Sequence, residues 1–573
     1  MKMISRLFAL AASGRHSLMI MLATGVLSAV LQGLCFAFLV PFLNALLHGD
    51  SVAGEWLAAM ALMVGATLVS HYIAQRYAYR AGITIARDLY QQLSERLAIL
   101  PLGWFNGERI GETGVLCSRN VVSVMGLPAH LLYPLIVTVV TPATMIGVMM
   151  FICFPLALLA LICVPALWGI FYWSGNLVSR SGQRYQQAIE QLNTRVIEFT
   201  QLQPVLRVFD EGTGRALLRK AFREQHVSLR RLIVSAVPGM VAFALAVQGV
   251  FTLLLAGGGL FVLNGTVSVA EFIALTVLIV RFVEPMMMSA ELGSGLRMAD
   301  GALIKLRQLL TTPPLPAPER VTQRPASAEI RFEKVRFSYD ERPVLHDIDL
   351  VIPHGSLTAL VGPSGTGKST LLRLMARFYD VDSGRVTLGG VDIRQLPESF
   401  LLQQFSFMFQ QAWLFDDTIM ENIRIGRPDA SDADVYLAGE RAGVDEIVGR
   451  IPHGWHGQAG AGGQALSGGE RQRVALARSL LKSAPVMLFD EATSALDAVN
   501  QRKIQMFIAS QRGQCTQVIV THRLQTATQA DQIVVLDGSG GIAAVGQHEA
   551  LLDECPFYRQ FWLSYMAEQA LSH

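Results

Sequence analysis

The sequence has few charged residues. Only 16% of its 573 residues are Asp, Glu, Lys or Arg, well below the roughly 25% of an average soluble protein. Because 47 Lys and Arg nearly balance 45 Asp and Glu, the formal net charge is only +2, which argues against a nucleic acid partner. Hydrophobic residues make up 51% of the chain, and the mean hydropathy is +0.39. This composition indicates that at least part of the protein lies in a membrane.

Cysteine is also sparse and is not clustered. The six cysteines form no CxxC pair and no Cys/His group, so the sequence predicts neither a metal site of that kind nor a disulfide framework. They are Cys35, Cys117, Cys153, Cys163, Cys515 and Cys555. The basic N-terminus and the apolar residues after it resemble a signal peptide only superficially, because the apolar stretch continues from about 17 to 47. We interpret it as a first transmembrane helix.

Long apolar stretches recur six times before residue 310. Each is long enough to cross about 30 Å of hydrocarbon, which takes roughly 20 helical residues. They lie at about 17–47, 53–75, 128–152, 154–175, 232–263 and 267–294. The short connections lack Lys and Arg, whereas the connections of about fifty residues after the second and fourth stretches are rich in Arg. The positive-inside tendency therefore places these connections and both termini in the cytoplasm, and their helical spacing predicts helices that extend out of the membrane.

The character of the chain changes at a Pro-rich polar stretch. Residues 311–328 have the composition of a linker. Residues 1–310 before it are predicted to form an all-α transmembrane domain of six helices. Residues 329–573 after it alternate short β-like runs with helix-like segments, which predicts an α/β domain around a mainly parallel sheet.

A phosphate-loop pattern stands in its required context, between the strand-like run at 357–361 and a helix-like run. The glycines allow backbone N–H groups to point at phosphates, Lys368 can reach the β- and γ-phosphates, and the Ser369 hydroxyl can ligate Mg²⁺. The sequence thus predicts an α/β P-loop domain that binds ATP and Mg²⁺. Its predicted nucleotide contacts are Gly362, Ser364, Gly365, Thr366, Gly367, Lys368, Ser369 and Thr370.

Two adjacent carboxylates end a second apolar strand, about 120 residues further on. Neighbouring residues of an extended strand point to opposite sides, so the pair can divide two tasks. We expect Asp490 to join the Mg²⁺ shell and Glu491 to act as the general base toward the attacking water.

The segment from Leu466 to Arg473 has the sequence LSGGERQR. Together with the motifs above, it resembles the nucleotide-binding domain of ATP-binding-cassette transporters. That resemblance implies that Ser467, Gly468 and Gly469 contact ATP bound to an opposite subunit, so two chains must assemble. It further implies that Gln410 contacts Mg²⁺, Tyr339 stacks on adenine, Asp497 lies in the loop at the dimer interface and His522 contacts the γ-phosphate. The sequence departs from the exporter pattern at Glu470, where Gln is commoner, and at Ala461, where Glu is usual.

Six spans followed by one nucleotide-binding domain resemble the exporter-type half-transporters over nearly the whole chain. This implies an ATP hydrolase that works as a homodimer or as a heterodimer with a sister half. Several stretches, among them PLGWFNGERIGE and the terminal FYRQFWLSYM, look most like the bacterial half-transporters that import iron-loaded siderophores across the inner membrane. Export of a lipid, peptide or drug-like amphiphile is the alternative. A channel gate or regulator that binds ATP without pumping is a third hypothesis, which an intact Glu491 disfavours.

The sixth apolar stretch contains ionisable residues, which are costly within a membrane unless they are paired or hydrated. Arg281 and Glu284 are therefore candidate substrate contacts, Arg281 suiting an anionic iron chelate. Their spacing equally fits an i, i+3 ion pair near the helix end. Met287, within a run of three methionines, is either an adaptable lining for a bulky amphiphile or a packing residue.

Overall fold

The computed structural model describes residues 2–10, 13–209, 213–491, 498–521 and 523–571. The chain divides into two compact units. The N-terminal unit comprises Met1–Ala98 and Ile110–Thr312, and the C-terminal unit comprises Ile99–Arg109 and Pro313–His573. The short segment Ile99–Arg109 thus belongs to the C-terminal unit, although the residues on both sides of it in the sequence belong to the other.

The N-terminal unit is entirely helical where it is described. Three of its helices are very long, at 47, 48 and 51 residues, or about 70–77 Å at 1.5 Å per residue. These are α4, α8 and α10, which extend beyond their apolar parts as predicted. The helices are α1 (Lys2–Leu10), α2 (Arg15–Cys35), α3 (Leu39–His48), α4 (Ala53–Ile99), α5 (Gly107–Val115), α6 (Val121–Leu127), α7 (Tyr133–Ile152), α8 (Phe154–Gln201), α9 (Gln203–Phe209), α10 (Thr213–Leu263) and α11 (Val269–Thr311).

Four of the six apolar stretches correspond to described helical runs that are long and apolar enough to cross a membrane. Among the described residues, four helical runs meet that criterion, and Phe154–Ile170 is a shorter apolar helix. The sixth predicted span coincides with the first part of α11. The predicted class, a helical transmembrane domain, is confirmed. The four runs are Arg15–His48, Ala53–Ile99, Arg109–Ile152 and Gly214–Leu263.

Small residues allow α2 and α7 to pack closely. Gly25, Ala29 and Gly33 recur every four residues and so share one face of α2. A Cβ atom added at Gly33 would lie 2.7 Å from Cβ of Thr144 on α7, and the Thr141 hydroxyl donates to the Ala29 carbonyl oxygen at 3.3 Å. Helices pack in a membrane through such small-residue faces, since no hydrophobic effect drives them together in lipid.

The third span is irregular, and α4 packs tightly against it. Two π-helical segments, Leu116–Asn120 and Pro128–Leu132, flank α6. A Cβ atom at Gly82 of α4 would lie only 2.2 Å from the Met125 carbonyl oxygen of α6. The hydroxyl of the buried Tyr133, just after the second π segment, lies 2.5 Å from Nδ1 of His71 on α4. Helix α4 therefore makes a close glycine contact with α6 and a polar contact with the first residue of α7.

The C-terminal unit contains two sheets. Its strands are β1 (Ile330–Tyr339), β2 (Arg342–Ile352), β3 (Leu357–Val361), β4 (Ser383–Leu388), β5 (Val391–Asp392), β6 (Phe405–Met408), β7 (Val486–Asp490), β8 (Thr516–Val520), β9 (Gln532–Leu536) and β10 (Ile542–Gly546). The larger sheet has the order β10-β9-β3-β8-β7-β6. Its strands are parallel except for β10, which is antiparallel to β9. The predicted α/β class is confirmed.

The smaller sheet is antiparallel and was not predicted as a separate layer. Its order is β2-β1-β4-β5. Only two residues join β1 to β2, one of them Asp340 with φ +53°, and so short a connection forces an antiparallel hairpin. The strand-like run at 329–337 therefore belongs to this sheet instead of the parallel one.

Helices cover the parallel sheet, so β3, β7 and β8 are buried at every position, as is usual for strands with both faces covered. The helices are α12 (Lys368–Met375), α13 (Glu398–Gln404), α14 (Ile419–Arg424), α15 (Asp432–Arg441), α16 (Asp445–Val448), α17 (Gly468–Lys482), α18 (Ala498–Ser510), α19 (Leu524–Ala527), α20 (His548–Glu554) and α21 (Pro556–Leu571).

Candidate nucleotide site

The topology of the larger sheet brings the predicted motifs to one edge. Strands β3, β8, β7 and β6 are neighbours and run parallel, so their carboxyl ends share that edge. The phosphate loop follows β3, the two carboxylates stand at the end of β7, and Gln410 comes two residues after β6. Ligands of open parallel sheets bind at this end of the strands.

The backbone of the phosphate loop binds the side chain of its own lysine, Lys368. Gly362, Gly365 and Gly367 have φ values of +144°, +84° and +94°, which favour glycine. The Lys368 ammonium is buried and donates to the carbonyl oxygens of Gly362, at 3.0 Å, and Pro363, at 2.7 Å. Burial lowers the pKa of Lys368, although the nearby carboxylates oppose that shift. The loop thus holds a cation at the start of α12, where a phosphate group is favoured by the helix dipole.

Ser369 and Asp490 form an oxygen-rich pair. The Ser369 hydroxyl donates to Oδ1 of Asp490 at 2.7 Å. Burial raises the pKa of the Asp490 carboxyl, while the Ser369 hydrogen bond acts in the opposite direction. A hydroxyl and a carboxylate facing each other are the hard oxygen donors that Mg²⁺ prefers, so these residues fit the ion that the motif implies.

Glu491 points to a different partner from its neighbour. Its Oε2 atom accepts a hydrogen bond from the Gln410 amide at 2.9 Å, and its N–H donates to the Val520 carbonyl oxygen at 3.1 Å. Its φ of +52° is uncommon for a residue with a side chain and is typical of functional sites. The two carboxylates therefore face different groups. Because Glu491 lies just past the end of β7 in a left-handed conformation, the alternation of an extended strand does not by itself account for this arrangement.

Tyr339 lies at the end of β1, beside the helix that follows the phosphate loop. Its hydroxyl is 3.3 Å from Oγ1 of Thr370 and accepts from the Arg373 guanidinium, also at 3.3 Å. The rings of Phe337 and Tyr379 meet Tyr339 edge-on, with centroids 4.9 and 5.2 Å away. These contacts fix the orientation of the ring for which stacking on adenine is predicted.

The signature segment begins α17. Ser467 is the N-cap: its hydroxyl accepts from the Glu470 N–H at 3.3 Å, and the Glu470 carboxylate accepts from the Ser467 N–H at 2.8 Å. This capping box leaves Ser467 and Gly468 exposed at the helix N-terminus. Nearby, Ala461 opens a short 3₁₀ turn in which Gly462 faces the ring of Trp413.

Four of the predicted residues lie wholly or partly beyond the described part of the chain. Asp497 and His522 are outside the described residues, and so are the side chains of Glu284 and Met287. Arg281 is described: it is exposed, and its guanidinium lies 5.6 Å from the ring centroid of Phe36.

The sequence analysis did not predict that the segment Ile99–Arg109 belongs to the C-terminal unit. Its 3₁₀ turn, Leu102–Trp104, contacts the loop after α12: the Gly103 N–H donates to the Phe378 carbonyl oxygen at 3.1 Å, and the Tyr379 hydroxyl donates to the Gly103 carbonyl oxygen at 2.9 Å. A tight loop between two extended helices was the one available signal.

Comparison with known proteins now defines the class. A model described as the ABC transporter transmembrane region matches residues 18–286, and one described as ABC transporter matches residues 345–494. The chain belongs to the ABC transporters. It is a multi-pass membrane protein that binds ATP and couples ATP hydrolysis to transport.

Individual relatives are similar over nearly the full length. The chain is 35% identical to the mycobactin import ATP-binding/permease protein IrtB of Mycolicibacterium smegmatis, covering 94% of each chain. It is 33% identical to the protein of the same name from Mycobacterium tuberculosis, covering 93% of each. A solved structure, a bacterial Atm1-family ABC exporter with ATP bound, matches with a TM-score of 0.82 at 27% identity, over 96% of this chain and 98% of that one.

Proposed function

We propose that this protein is one half of a dimeric transporter that uses ATP to move an iron-loaded siderophore inward across a bacterial inner membrane. The observation that carries the proposal is the 35% identity, over 94% of both chains, to a protein named for mycobactin import. The arginine-rich connections support a cytoplasmic position for the nucleotide site and both termini.

The geometry of the site supports specific roles. Lys368 would exchange its two carbonyl partners for the β- and γ-phosphate oxygens, since these are stronger, charged acceptors. Glu491, whose carboxylate is held in place by the amide of Gln410, would accept the proton of the attacking water. Tyr339 would stack on adenine. His522 would contact the γ-phosphate, as the family resemblance implies.

Ser369, Asp490 and Gln410 would hold Mg²⁺. When bound, the ion neutralises charge that develops on the transferred phosphoryl group. The hydroxyl of Ser369 and the carboxylate of Asp490, which face each other at 2.7 Å, would supply two of the oxygen donors.

The place of the signature segment supports the assembly of two chains. Ser467, Gly468 and Gly469 begin a capped helix whose first residues are exposed. N–H groups at such a helix start favour anions, so they would complete the ATP site of a partner subunit, which is a second copy or a sister half, with Asp497 at the interface.

Vesicles of known orientation test the direction. The full-length protein would be reconstituted with its nucleotide sites facing the bath and iron-loaded mycobactin sealed inside. Addition of ATP and Mg²⁺ should release iron to the bath. The Glu491→Gln variant, which removes the general base, should release none, while the matched Glu440→Gln variant, an exposed change on α15, should behave as the parent protein.

Export is the second candidate, and the similarity to an Atm1-family exporter over 98% of its chain favours it. In the same vesicles an exporter would concentrate a lipid or amphiphilic dye in the lumen and leave the sealed siderophore in place. That result would replace import by export. The gate hypothesis predicts that ion or solute flux survives the Glu491→Gln change, because ATP binding alone would suffice.

A further inference from the structure

The side chain of Arg478 on α17 is a partly buried cation whose acceptors, in the described part of the chain, are all uncharged oxygens. Its Nε atom donates to the Asn422 carbonyl oxygen at 2.8 Å, and its Nη2 atom donates to Oδ1 of Asn422 at 3.1 Å. Its Nη1 atom donates to the Trp413 carbonyl oxygen at 3.3 Å. Burial lowers the pKa of Arg478, but a guanidinium stays charged at neutral pH. Removing a cation from water without a counter-charge is costly, so stability alone does not explain this residue.

Asn422, on α14, extends the network into the loop that precedes that helix. Its side chain is fully buried. Its Oδ1 atom accepts from the Phe415 N–H at 2.8 Å, and its Nδ2 atom donates to the Phe415 carbonyl oxygen at 3.0 Å. The backbone of the loop is therefore held at Phe415 by Asn422 and at Trp413 by Arg478.

The anchored loop lies close to Gln410 along the chain. On its other side, the ring of Phe409 stacks on that of Phe407 in β6, with centroids 4.3 Å apart. Only three residues, Gln410 among them, separate Phe409 from Trp413, and three residues span at most about 10 Å. The Gln410 amide, which donates to Oε2 of Glu491 at 2.9 Å, therefore has little freedom of position while Trp413 is held.

We propose that Arg478 is a positioning residue for ATP hydrolysis, which holds Gln410 within reach of Glu491. The proposal rests on the roles in hydrolysis proposed above for these two residues. A general base contributes only when it is directed at the proton that it accepts, and a misplacement of about 1 Å can cost about 100-fold in rate. Without Arg478, the Trp413 carbonyl oxygen loses its donor, the loop gains freedom, and the amide no longer holds the carboxylate in one direction.

The Arg478→Met variant of the full-length protein, reconstituted in lipid, removes the charge and keeps most of the side-chain length. Its kcat for ATP hydrolysis should fall about tenfold or more. Its KM for ATP should stay within about twofold, because the phosphate loop and Tyr339 belong to other elements.

Lys482→Met is the matched control. Lys482 is a second partly buried cation of α17, and its ammonium donates to the carbonyl oxygen of Leu402 in α13 at 2.9 Å. Burial lowers the pKa of this lysine also. The change removes a similar bond from the same helix without touching the loop after Gln410, so kcat should stay within about twofold of the parent value.

A double-mutant cycle with Gln410→Ala separates positioning from a general loss of stability. If Arg478 acts through Gln410, then Arg478→Met should lower kcat by less than about twofold in the Gln410→Ala background, because the effects of residues that act as a unit are not additive. An equal loss in both backgrounds, an unchanged kcat in Arg478→Met, or a rise in KM alone would refute the link and leave the ATP site as described.

A second variant keeps the test decisive if Arg478→Met does not fold. Arg478→Lys keeps the charge but lacks the planar fork that reaches separate acceptors, so its kcat should lie between those of the parent and Gln410→Ala, and the same cycle applies to it. If Gln410→Ala itself hydrolyses ATP as the parent does, the role proposed for Gln410 is wrong, and the link falls with it.

Discussion

The capping box of α17 gives a prediction about one of the sequence departures. Glu470 stands where exporters more often have Gln, and its carboxylate accepts the Ser467 N–H at 2.8 Å. It also pairs with Arg450 at 3.0 Å, although the Arg450 side chain is 65% exposed. Either carboxylate or amide oxygen can accept the Ser467 bond, so we expect Glu470→Gln to be mild and Glu470→Ala to loosen the helix start.

The magnitude follows from the number of bonds lost. In Glu470→Ala the Ser467 N–H loses its acceptor and must bond to water instead. This should lower the free energy of local opening at the helix start by about 1 kcal/mol. This is about a fivefold change in the opening equilibrium. The solvent-exposed ion pair adds little, between about 0 and 1 kcal/mol. Arg450→Ala should therefore have a much smaller effect than Glu470→Ala, and comparing the two separates the cap from the ion pair.

Hydrogen exchange of the full-length protein measures this opening, because exchange of a protected amide follows the local opening free energy. Amides at the start of α17 should exchange about fivefold faster in Glu470→Ala, and about as in the parent protein in Glu470→Gln. The Ser467 backbone bond lowers the pKa of Glu470. The cap is therefore present above the ordinary carboxyl pKa and is lost only as the pH falls through the lowered value, so the difference should persist at neutral pH. Unchanged exchange in Glu470→Ala, or an equal effect of Arg450→Ala, would refute the reasoning.

Three further predictions concern other parts of the chain. Lys368→Ala should reduce ATP turnover, measured as phosphate release, by about 100-fold or more, because a buried cation directed at the phosphates is lost; near-parental turnover would contradict this role. Gly82→Val should destabilise the detergent-solubilised protein by about 1–3 kcal/mol through overpacking, whereas Gly65→Val, whose Cβ meets nothing within 4 Å, should leave the unfolding temperature nearly unchanged. Burial lowers the pKa of His548, whose Nδ1 atom lies 2.9 Å from the Tyr558 hydroxyl, so the unfolded chain binds a proton at this residue more readily than the folded chain. The unfolding temperature should therefore decrease as the pH is lowered from about 7.5 to about 5.5. The His548→Gln variant should show a smaller decrease.

The order of spans and motifs was predictable because each depends on a local pattern. Apolar length predicts the membrane helices, and the loop at Gly362–Ser369 has a fixed spacing between a strand and a helix. The hairpin between β1 and β2 also left a local trace, since two polar residues separate the strand-like runs. That trace was missed because the run was assigned to the parallel sheet by its composition alone.

Other features depend on contacts between residues far apart in the sequence. The left-handed backbone of Glu491 is held by a hydrogen bond to Val520, the last residue of β8, and no pattern around residue 491 encodes that bond. The membership of Ile99–Arg109 in the C-terminal unit likewise depends on Phe378 and Tyr379, about 275 residues away. Glycines are common in tight loops, and only the atoms around Gly103 explain why this position lacks a side chain.

The two carboxylates at the end of β7 illustrate how local backbone geometry and the sheet topology together position chemical groups. Alternation along an extended strand would make Asp490 and Glu491 diverge, but Glu491 lies just past β7 in a left-handed conformation, so the turn after the strand also sets the direction of its side chain. Because β3 and β6 lie on different sides of β7 in the sheet order, divergence directs one carboxylate to Ser369 after β3 and the other to Gln410 after β6. The same divergence would separate the ion-binding role proposed for Asp490 from the proton-accepting role proposed for Glu491, since the group buried beside a hydroxyl and the group held by an amide meet different electrostatic surroundings. If β3 and β6 exchanged places in the sheet, the same residues would still lie at its edge, but the two carboxylates would not face these partners.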